Sequence, residues 1–384
     1  MFHIFTVIGA RPQFVKAAVV SLAIKRLGRG IIKESIIHTG QHYDYSMSGI
    51  FFKELNIPRP IDNLNVGSFS HGKQTGIMLE RLERVFIRDH PDMVLVYGDT
   101  NSTLAATLAA AKLHIPVAHV EAGMRSFNKL MPEELNRVAV DHMSDILFCS
   151  SDASVKNLRR EGIPDKNNGK CCVVLNVGDV MVDALKFFYS YAEKRSKILA
   201  KLNLKPRNYY LVTVHRAENT DSLEKLKVIF KSLNIIAEKG SCVVIPMHPR
   251  TLSALKRLGM KNFSKNMRII GPVSYFDMLL LEKNAAGIFT DSGGVQKEAY
   301  IFRVPAITLR TETEWVETVK SGWNTLVPIN EKAIMLAFDK MARFKRDSLR
   351  VTSNIYGDGK ASGRIAGFFQ KYFITTVKIK PGLG

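Results

Sequence analysis

Short apolar runs alternate with longer stretches in which apolar residues recur every three or four positions. In the first half, His3–Ile8, Ile32–His38, Met93–Tyr97, Val117–Val120, Ile146–Cys149 and Val173–Leu175 have the length and composition of strands. Between them the spacing predicts helices over Gln13–Leu27, His71–Asp89, Thr103–Leu113 and Glu133–Met143. The second half repeats the scheme, with strands at Tyr210–Val214, Cys242–Pro246, Arg268–Ile270, Gly287–Thr290, Ala306–Thr308 and Thr325–Val327. Its helices are expected over Ser222–Glu238, Thr251–Leu258, Tyr275–Asn284, Gly294–Ile301 and Glu331–Phe344. Continuous apolar strands separated by amphipathic helices imply parallel sheets covered on both faces. The predicted fold is therefore α/β, with two doubly wound, Rossmann-like domains facing a cleft. The boundary falls at Asn176-Val-Gly-Asp179, giving domains 1–176 and 177–360. A tail helix, Ala361–Tyr372, follows the second sheet, so segment 361–384 is expected to pack back on the first domain.

Composition narrows the class. The chain has 384 residues, 46% hydrophobic and 23% charged, which suits a globular protein of two ordinary domains. No run reaches the roughly 18 apolar residues of a membrane helix. The opening MFHIFTVIGARP meets Gly9 and Arg11 too soon for a leader peptide and reads as a first strand in a cytoplasmic protein. Cys149, Cys171, Cys172 and Cys242 show no metal-type spacing and are expected to be reduced. The net charge of +20 raises the question of nucleic acid. However, the cations are spread along the chain, nearest to clustering over Lys340–Arg350, and no nucleic-acid motif accompanies them. No nucleic-acid or membrane partner is expected.

In open parallel sheets, ligands lie beyond the carboxyl ends of the strands, so the residues there are informative. Gly9-Ala-Arg-Pro-Gln13 joins the first strand to a helix carrying Lys16. With Arg11 it suits a phosphate or carboxylate, although the same residues also make a plain tight turn. It lacks the dinucleotide fingerprint. Gly98-Asp99-Thr100 ends the next such strand, where Asp99 can face a ligand and Thr100 or Ser102 can cap the following helix. Glu121 stands at a strand end beside Gly123, and Pro132 introduces Glu133 in the first turn of a helix. Glu133 and Arg137 are spaced i, i+4 and can pair. Asp99, Glu121 and Glu133 together would give carboxylates with separated pKa values, suited to two-sided proton transfer. In the second half, His215 ends a strand and is followed by Arg216, Glu218 and Asn219. Thr290-Asp-Ser-Gly-Gly-Val-Gln-Lys-Glu298 is a strand end, glycine turn and helix start. There Ser292, Gly293 and Gly294 can donate to phosphate, and Glu298 can accept from a ribose diol.

Taken together, IGARPQFVK, GQHYDYSM, YGDTNST, HVEAGMRS, MPEELNR, VTVHRAEN, TDSGGVQKEA and LRTETEWVE resemble the signatures of non-hydrolysing UDP-N-acetylglucosamine 2-epimerases, in order over nearly the whole chain. The resemblance implies the GT-B-like fold shared with nucleotide-sugar glycosyltransferases. It also implies a UDP-sugar substrate, a homodimer, a place in polysaccharide synthesis, and no cofactor or metal. Reaction would proceed by loss of the C2 proton and of UDP, giving a 2-acetamidoglucal, and by return of both. Asp99, Glu121, Glu133 and His215 match the acid/base set. Arg11, Ser292, Gly293 and Gly294 match the diphosphate contacts, and Glu298 the ribose contact. Lys16 and Arg137 fall near sugar or phosphates, with further substrate contacts at Gln41, His42, Arg216, His248 and Phe276. Two departures stand out. The Gln-His-Arg stretch that binds an activating second substrate in some members is Gln41-His42-Tyr43 here. The LRTETEWVE stretch is similar to the branch acting on UDP-2,3-diacetamido-2,3-dideoxyglucuronate. A UDP-sugar glycosyltransferase and a basic nucleic-acid-binding protein are the competing readings. The first leaves the three carboxylates unexplained; the second lacks a clustered basic face.

Overall fold

The computed structural model describes residues 1–41, 58–163, 172–260, 262–344 and 355–379. Its contacts divide the chain into unit 1, Met1–Phe187 with Asn354–Gly384, and unit 2, Phe188–Ser353. Unit 1 holds β1 (Phe2–Ile8), β2 (Ile32–His38), β3 (Asp62–Asn63), β4 (Met93–Tyr97), β5 (Val117–Ala122), β6 (Ile146–Cys149) and β7 (Val173–Asn176). They pair in the order β3-β2-β1-β4-β5-β6-β7, all parallel. Unit 2 holds β8 (Tyr210–Thr213), β9 (Val243–Pro246), β10 (Met267–Ile270), β11 (Gly287–Thr290), β12 (Ala306–Thr308) and β13 (Asn324–Leu326). These pair as β10-β9-β8-β11-β12-β13, again parallel. Each sheet reverses its strand order once, at β1/β4 and at β8/β11. That is the doubly wound arrangement, in which the reversal opens a crevice at the carboxyl ends.

The apolar runs become strands because both faces are covered. Every residue of β4 and β11 is buried. One core of unit 1 lies between the sheet and helices His71–Asp89 and Asn101–Lys112, around Phe5, Val94, Met78 and Ala106. A core of unit 2 gathers Phe230, Ile245, Phe289 and Phe338. The tail helix Ala361–Ile379 belongs to unit 1 and packs on helix Arg11–Leu27. Phe369 and Phe373 are fully buried, and the Phe373 ring stacks 3.5 Å from Phe2.

The division falls inside helix Val180–Arg195, later than the residues that end the first apolar scheme. The reason is the returning tail: Asp179 N donates to Tyr356 O at 2.8 Å, and Arg364 donates to Val177 O at 2.9 Å. Helices Asp152–Arg160 and Val180–Arg195 were not expected, nor was the two-residue strand β3. Among the described residues no helix is long and apolar enough to cross a membrane. Cys149 is buried and Cys172 and Cys242 are half-buried, and Cys171 lies outside the described residues.

Candidate functional site

In unit 1 the carboxyl ends of β1, β4 and β5 are neighbours, which brings together residues far apart in sequence. The first turn is tight: a Cβ on Gly9 would collide with Oγ1 of Thr39 and Oγ of Ser102, which bond each other at 2.8 Å. Buried Gln13 stitches this turn to the end of β4. Its Oε1 accepts from Gly9 N and Ala10 N at 2.8 and 3.0 Å, and its Nε2 donates to Tyr97 O at 2.9 Å. Gln41 accepts from Ser102 Oγ at 2.7 Å and so braces the start of helix Asn101–Lys112. Thr100 caps that helix, accepting from Thr103 N. His42 lies outside the described residues, as does the side chain of Arg11.

Asp99 and Glu121 both stand at this junction. Oδ2 of Asp99 accepts from Arg137 Nη2 at 2.5 Å, and its carbonyl accepts from Asn136 Nδ2 at 2.9 Å. Its side chain keeps 31% of its surface open, whereas that of Arg137 keeps 4%. Glu121 has φ of +77°, at the point where the β5–β6 register shifts between Val120 and Ala122. A bulge re-aims a side chain, and left-handed backbone at a non-glycine residue costs on the order of 1–3 kcal/mol. Here it turns the carboxylate onto Lys16, an ion pair whose members are both about nine-tenths buried.

Glu133 is half-buried in the first turn of helix Pro132–Met143. The expected pair with Arg137 is not formed. The guanidinium is almost wholly buried and is taken by Glu134 and Asp99, while Glu133 has no hydrogen bond or ion pair among the described residues. Glu134 accepts from Ser126 N and Phe127 N at 2.9 and 2.8 Å. Burial pushes its pKa up, but these bonds and Arg137 hold it below the usual carboxylate range. It fixes the loop that precedes Glu133.

In unit 2, His215 follows β8. Its N–H and that of Arg216 donate to the fully buried carboxylate of Asp291, at 3.1 and 3.0 Å, and Asn219 Nδ2 adds a third bond at 3.1 Å. The His215 ring stays partly open, with Nδ1 3.8 Å from Asp291 and its centre 5.7 Å from that of His248. His248 is exposed and caps helix Pro249–Arg257, accepting from Arg250 N at 3.2 Å. Ser292 opens helix Gly293–Phe302, with its N–H on Thr290 Oγ1 at 3.0 Å. A Cβ on Gly293 would collide with the Glu314 carboxylate, but one on Gly294 meets only Ser292 Oγ at 3.8 Å. Glu314 lies 3.4 Å from Arg310 and 3.9 Å from Arg216. Glu298 is buried further along the helix, and Phe276 lies in the core near Phe188, ring centres 6.4 Å apart.

Unit 1 thus gathers Lys16, Asp99, Glu121 and Arg137, with Glu133 on the adjoining helix. Unit 2 gathers His215 and Arg216 around Asp291, and Arg216, Arg310 and Glu314 around the start of helix Gly293–Phe302. The sequence reading missed Gln13, Asp291, Arg310 and Glu314 as parts of this machinery. All four lie inside the quoted motifs, and for Gln13 and Asp291 their polarity beside an apolar strand was the available signal. Among the described residues no cluster of three or more His, Cys, Asp or Glu could hold a metal ion. The set offers proton-transfer groups in unit 1 and an anion-binding helix start with hydroxyl acceptors in unit 2.

A sequence model of the family described as UDP-N-acetylglucosamine 2-epimerase matches residues 25–370. The chain is 49% identical over 367 residues to a UDP-N-acetylglucosamine 2-epimerase homolog of Methanococcus maripaludis, covering 94% of this chain and 98% of that protein. It is 45% identical over 372 residues to the UDP-2,3-diacetamido-2,3-dideoxy-D-glucuronate 2-epimerase of Pseudomonas aeruginosa, covering 96% and 99%. The crystal structure of the Methanocaldococcus jannaschii UDP-GlcNAc 2-epimerase in complex with UDP-GlcNAc and UDP matches with a TM-score of 0.86 at 43% identity, covering 96% of this chain and all of that one.

Proposed function

Because the chain belongs to the UDP-N-acetylglucosamine 2-epimerase family, we propose that it reversibly inverts C2 of a UDP-linked 2-acetamido sugar by losing and regaining UDP. A base removes the C2 proton while the C1–O bond to UDP breaks, leaving a 2-acetamidoglucal and UDP. A proton then returns to the other face of C2 as UDP adds back to C1. This chemistry needs acid/base groups about one carbon and strong stabilisation of a departing diphosphate. The observation that carries the reading is the gathering of Asp99 and Glu121 at adjacent strand ends, each fixed by a buried cation.

In this reading Asp99, Glu121, Glu133 and His215 share the two proton transfers. The Ser292 hydroxyl and the N–H groups of Gly293 and Gly294 take the diphosphate, with Arg11 and Arg216 adding charge, and Glu298 takes the ribose. The enzyme works as a cytoplasmic homodimer. The sugar is UDP-GlcNAc or its 2,3-diacetamido-uronate relative, since relatives of both descriptions match at 44–45% identity. Incubation of each with the enzyme in deuterated water, followed by proton NMR, tests both points. Deuterium at C2 of one or both, without stoichiometric release of UDP, is expected. No exchange with either would end the proposal, and transfer of the sugar to an added acceptor with C2 left unexchanged would favour a glycosyltransferase.

A further inference from the structure

The strand that carries Glu121 also carries His119, two residues earlier and wholly buried. Its Nε2 lies 2.8 Å from the carbonyl oxygen of Gly98, and its Nδ1 lies 2.7 Å from Oδ1 of Asp141. A carbonyl oxygen only accepts. Asp141 is an acceptor too: burial pushes its pKa up, but the bonds from His119 and Arg125 hold it below the usual carboxylate range. The ring satisfies both neighbours only with a proton on each nitrogen. Charge is balanced around it. Arg125 donates to Asp141 Oδ2 at 2.7 Å and, bidentately, to Glu161 at 2.6 Å. The partly exposed His142 faces the same Glu161 at 3.6 Å. The two buried cations thus face the buried Asp141 and the partly exposed Glu161.

The ends of this network matter. Gly98 O belongs to the peptide that leads into Asp99. Oδ2 of Asp141 also accepts from Gly123 N at 3.0 Å, two residues beyond the strained Glu121. One carboxylate therefore grips the turn after Glu121 directly and, through His119, the turn that carries Asp99. Asp141 rides on helix Pro132–Met143, which also supplies Arg137 and Asn136 to Asp99.

We propose that His119 is a positioning residue: clamped as an imidazolium between Gly98 and Asp141, it sets the separation of the Asp99 and Glu121 carboxylates. The inference rests on the epimerase reading for what that separation serves.

The test uses the full-length enzyme, its His119→Gln variant, and UDP with the sugar that exchanges. Nitrogen-15 NMR of the wild-type imidazoles at neutral pH should show one ring with both nitrogens protonated, absent from the variant. The variant should bind UDP within about twofold of wild type and keep its KM, since ground-state binding is untouched. Its turnover and C2 exchange should fall at least about tenfold, because an ångström of misplacement can cost up to about a hundredfold. A neutral His119 ring overturns the proposal, even if the variant does not fold. So does a folded variant with wild-type turnover, or one that loses UDP affinity and turnover alike. Absence of exchange by the wild-type enzyme on both sugars would instead strike the epimerase reading.

Discussion

Asp141 in unit 1 and Asp291 in unit 2 perform the same task in different company. Both are fully buried, and both hold the backbone of a loop just beyond a strand end. Asp141 is compensated by charge, from His119 and Arg125. Asp291 is compensated by neutral donors, two backbone N–H groups and the amide of Asn219. The consequence shows at the surface of each site. In unit 1 the cations Lys16 and Arg137 are already committed to Glu121 and Asp99. In unit 2, Arg216 and Arg310 lie 3.9 and 3.4 Å from Glu314 at the start of a helix, longer pairings that an incoming anion can displace. In the proposed reaction, unit 1 would supply fixed charges for proton transfer and unit 2 donors for binding.

The same substitution at both positions breaks the comparison most sharply. Asp141→Asn leaves a neutral amide among buried cations, a loss of about 3–5 kcal/mol of stability. Asp291→Asn keeps an acceptor oxygen for its neutral donors and should cost roughly 1–2 kcal/mol, the difference between charged and neutral hydrogen bonds. Denaturant unfolding measures both, and equal losses would show that the company of the carboxylate does not matter.

Next in size are effects on turnover. Asp99→Asn, Glu121→Gln and His215→Ala should each lower turnover by at least about a hundredfold, the usual range for general acid–base loss. The two unit 1 variants should bind UDP normally. Glu298→Ala should reverse the pattern, weakening UDP binding more than turnover at saturation. Steady-state kinetics with calorimetry separates these outcomes, and normal turnover in the first three would remove the site assignment.

The fixed charges also carry a pH signature. The Asp141 and Glu134 carboxyls are held below their ordinary range when folded. Their contribution to stability is therefore present above the unfolded carboxylate pKa and is lost as pH falls through the folded values. Asp141→Asn should flatten the acid limb of a plot of unfolding midpoint against pH. An unchanged limb would show that Asp141 is not ionised in the native state.

Legibility in the sequence followed the range of the interaction. Strands such as Met93–Tyr97 and Gly287–Thr290 could be read to the residue, because a run buried on both faces and bounded by turns is a local signal. Helix Asp152–Arg160, with two buried residues among nine, gave little apolar pattern to read. The strand-end residues Asp99, Glu121 and His215 were legible from position alone. Their partners were not. Gln13 reaches Tyr97 across 84 residues and Lys16 reaches Glu121 across 105, and no local period encodes such pairs. Only the sheet order, which sets β1 beside β4 and β4 beside β5, makes them neighbours.

The smallest effect on the fold is also the most discriminating about ligand. Gly293 and Gly294 are adjacent in the turn of unit 2, and neither adopts a positive φ. Conformational freedom is thus not why either is glycine. At Gly293 the reason is internal, since a methyl group would displace Glu314. Gly293→Ala should disturb both fold and binding and says little about phosphate. At Gly294 the protein itself offers no obstacle, with Ser292 Oγ the nearest atom at 3.8 Å. In the first turn of a helix, alanine there should leave stability unchanged or raise it by up to about 1 kcal/mol. If the diphosphate approaches this backbone, the added methyl group occupies its place, and UDP affinity should drop about tenfold while the melting temperature holds. A stable Gly294→Ala enzyme with wild-type UDP affinity would mean that the helix start does not hold the diphosphate. The diphosphate would then have to rest on Arg11 and Arg216, with Glu298 still holding the ribose.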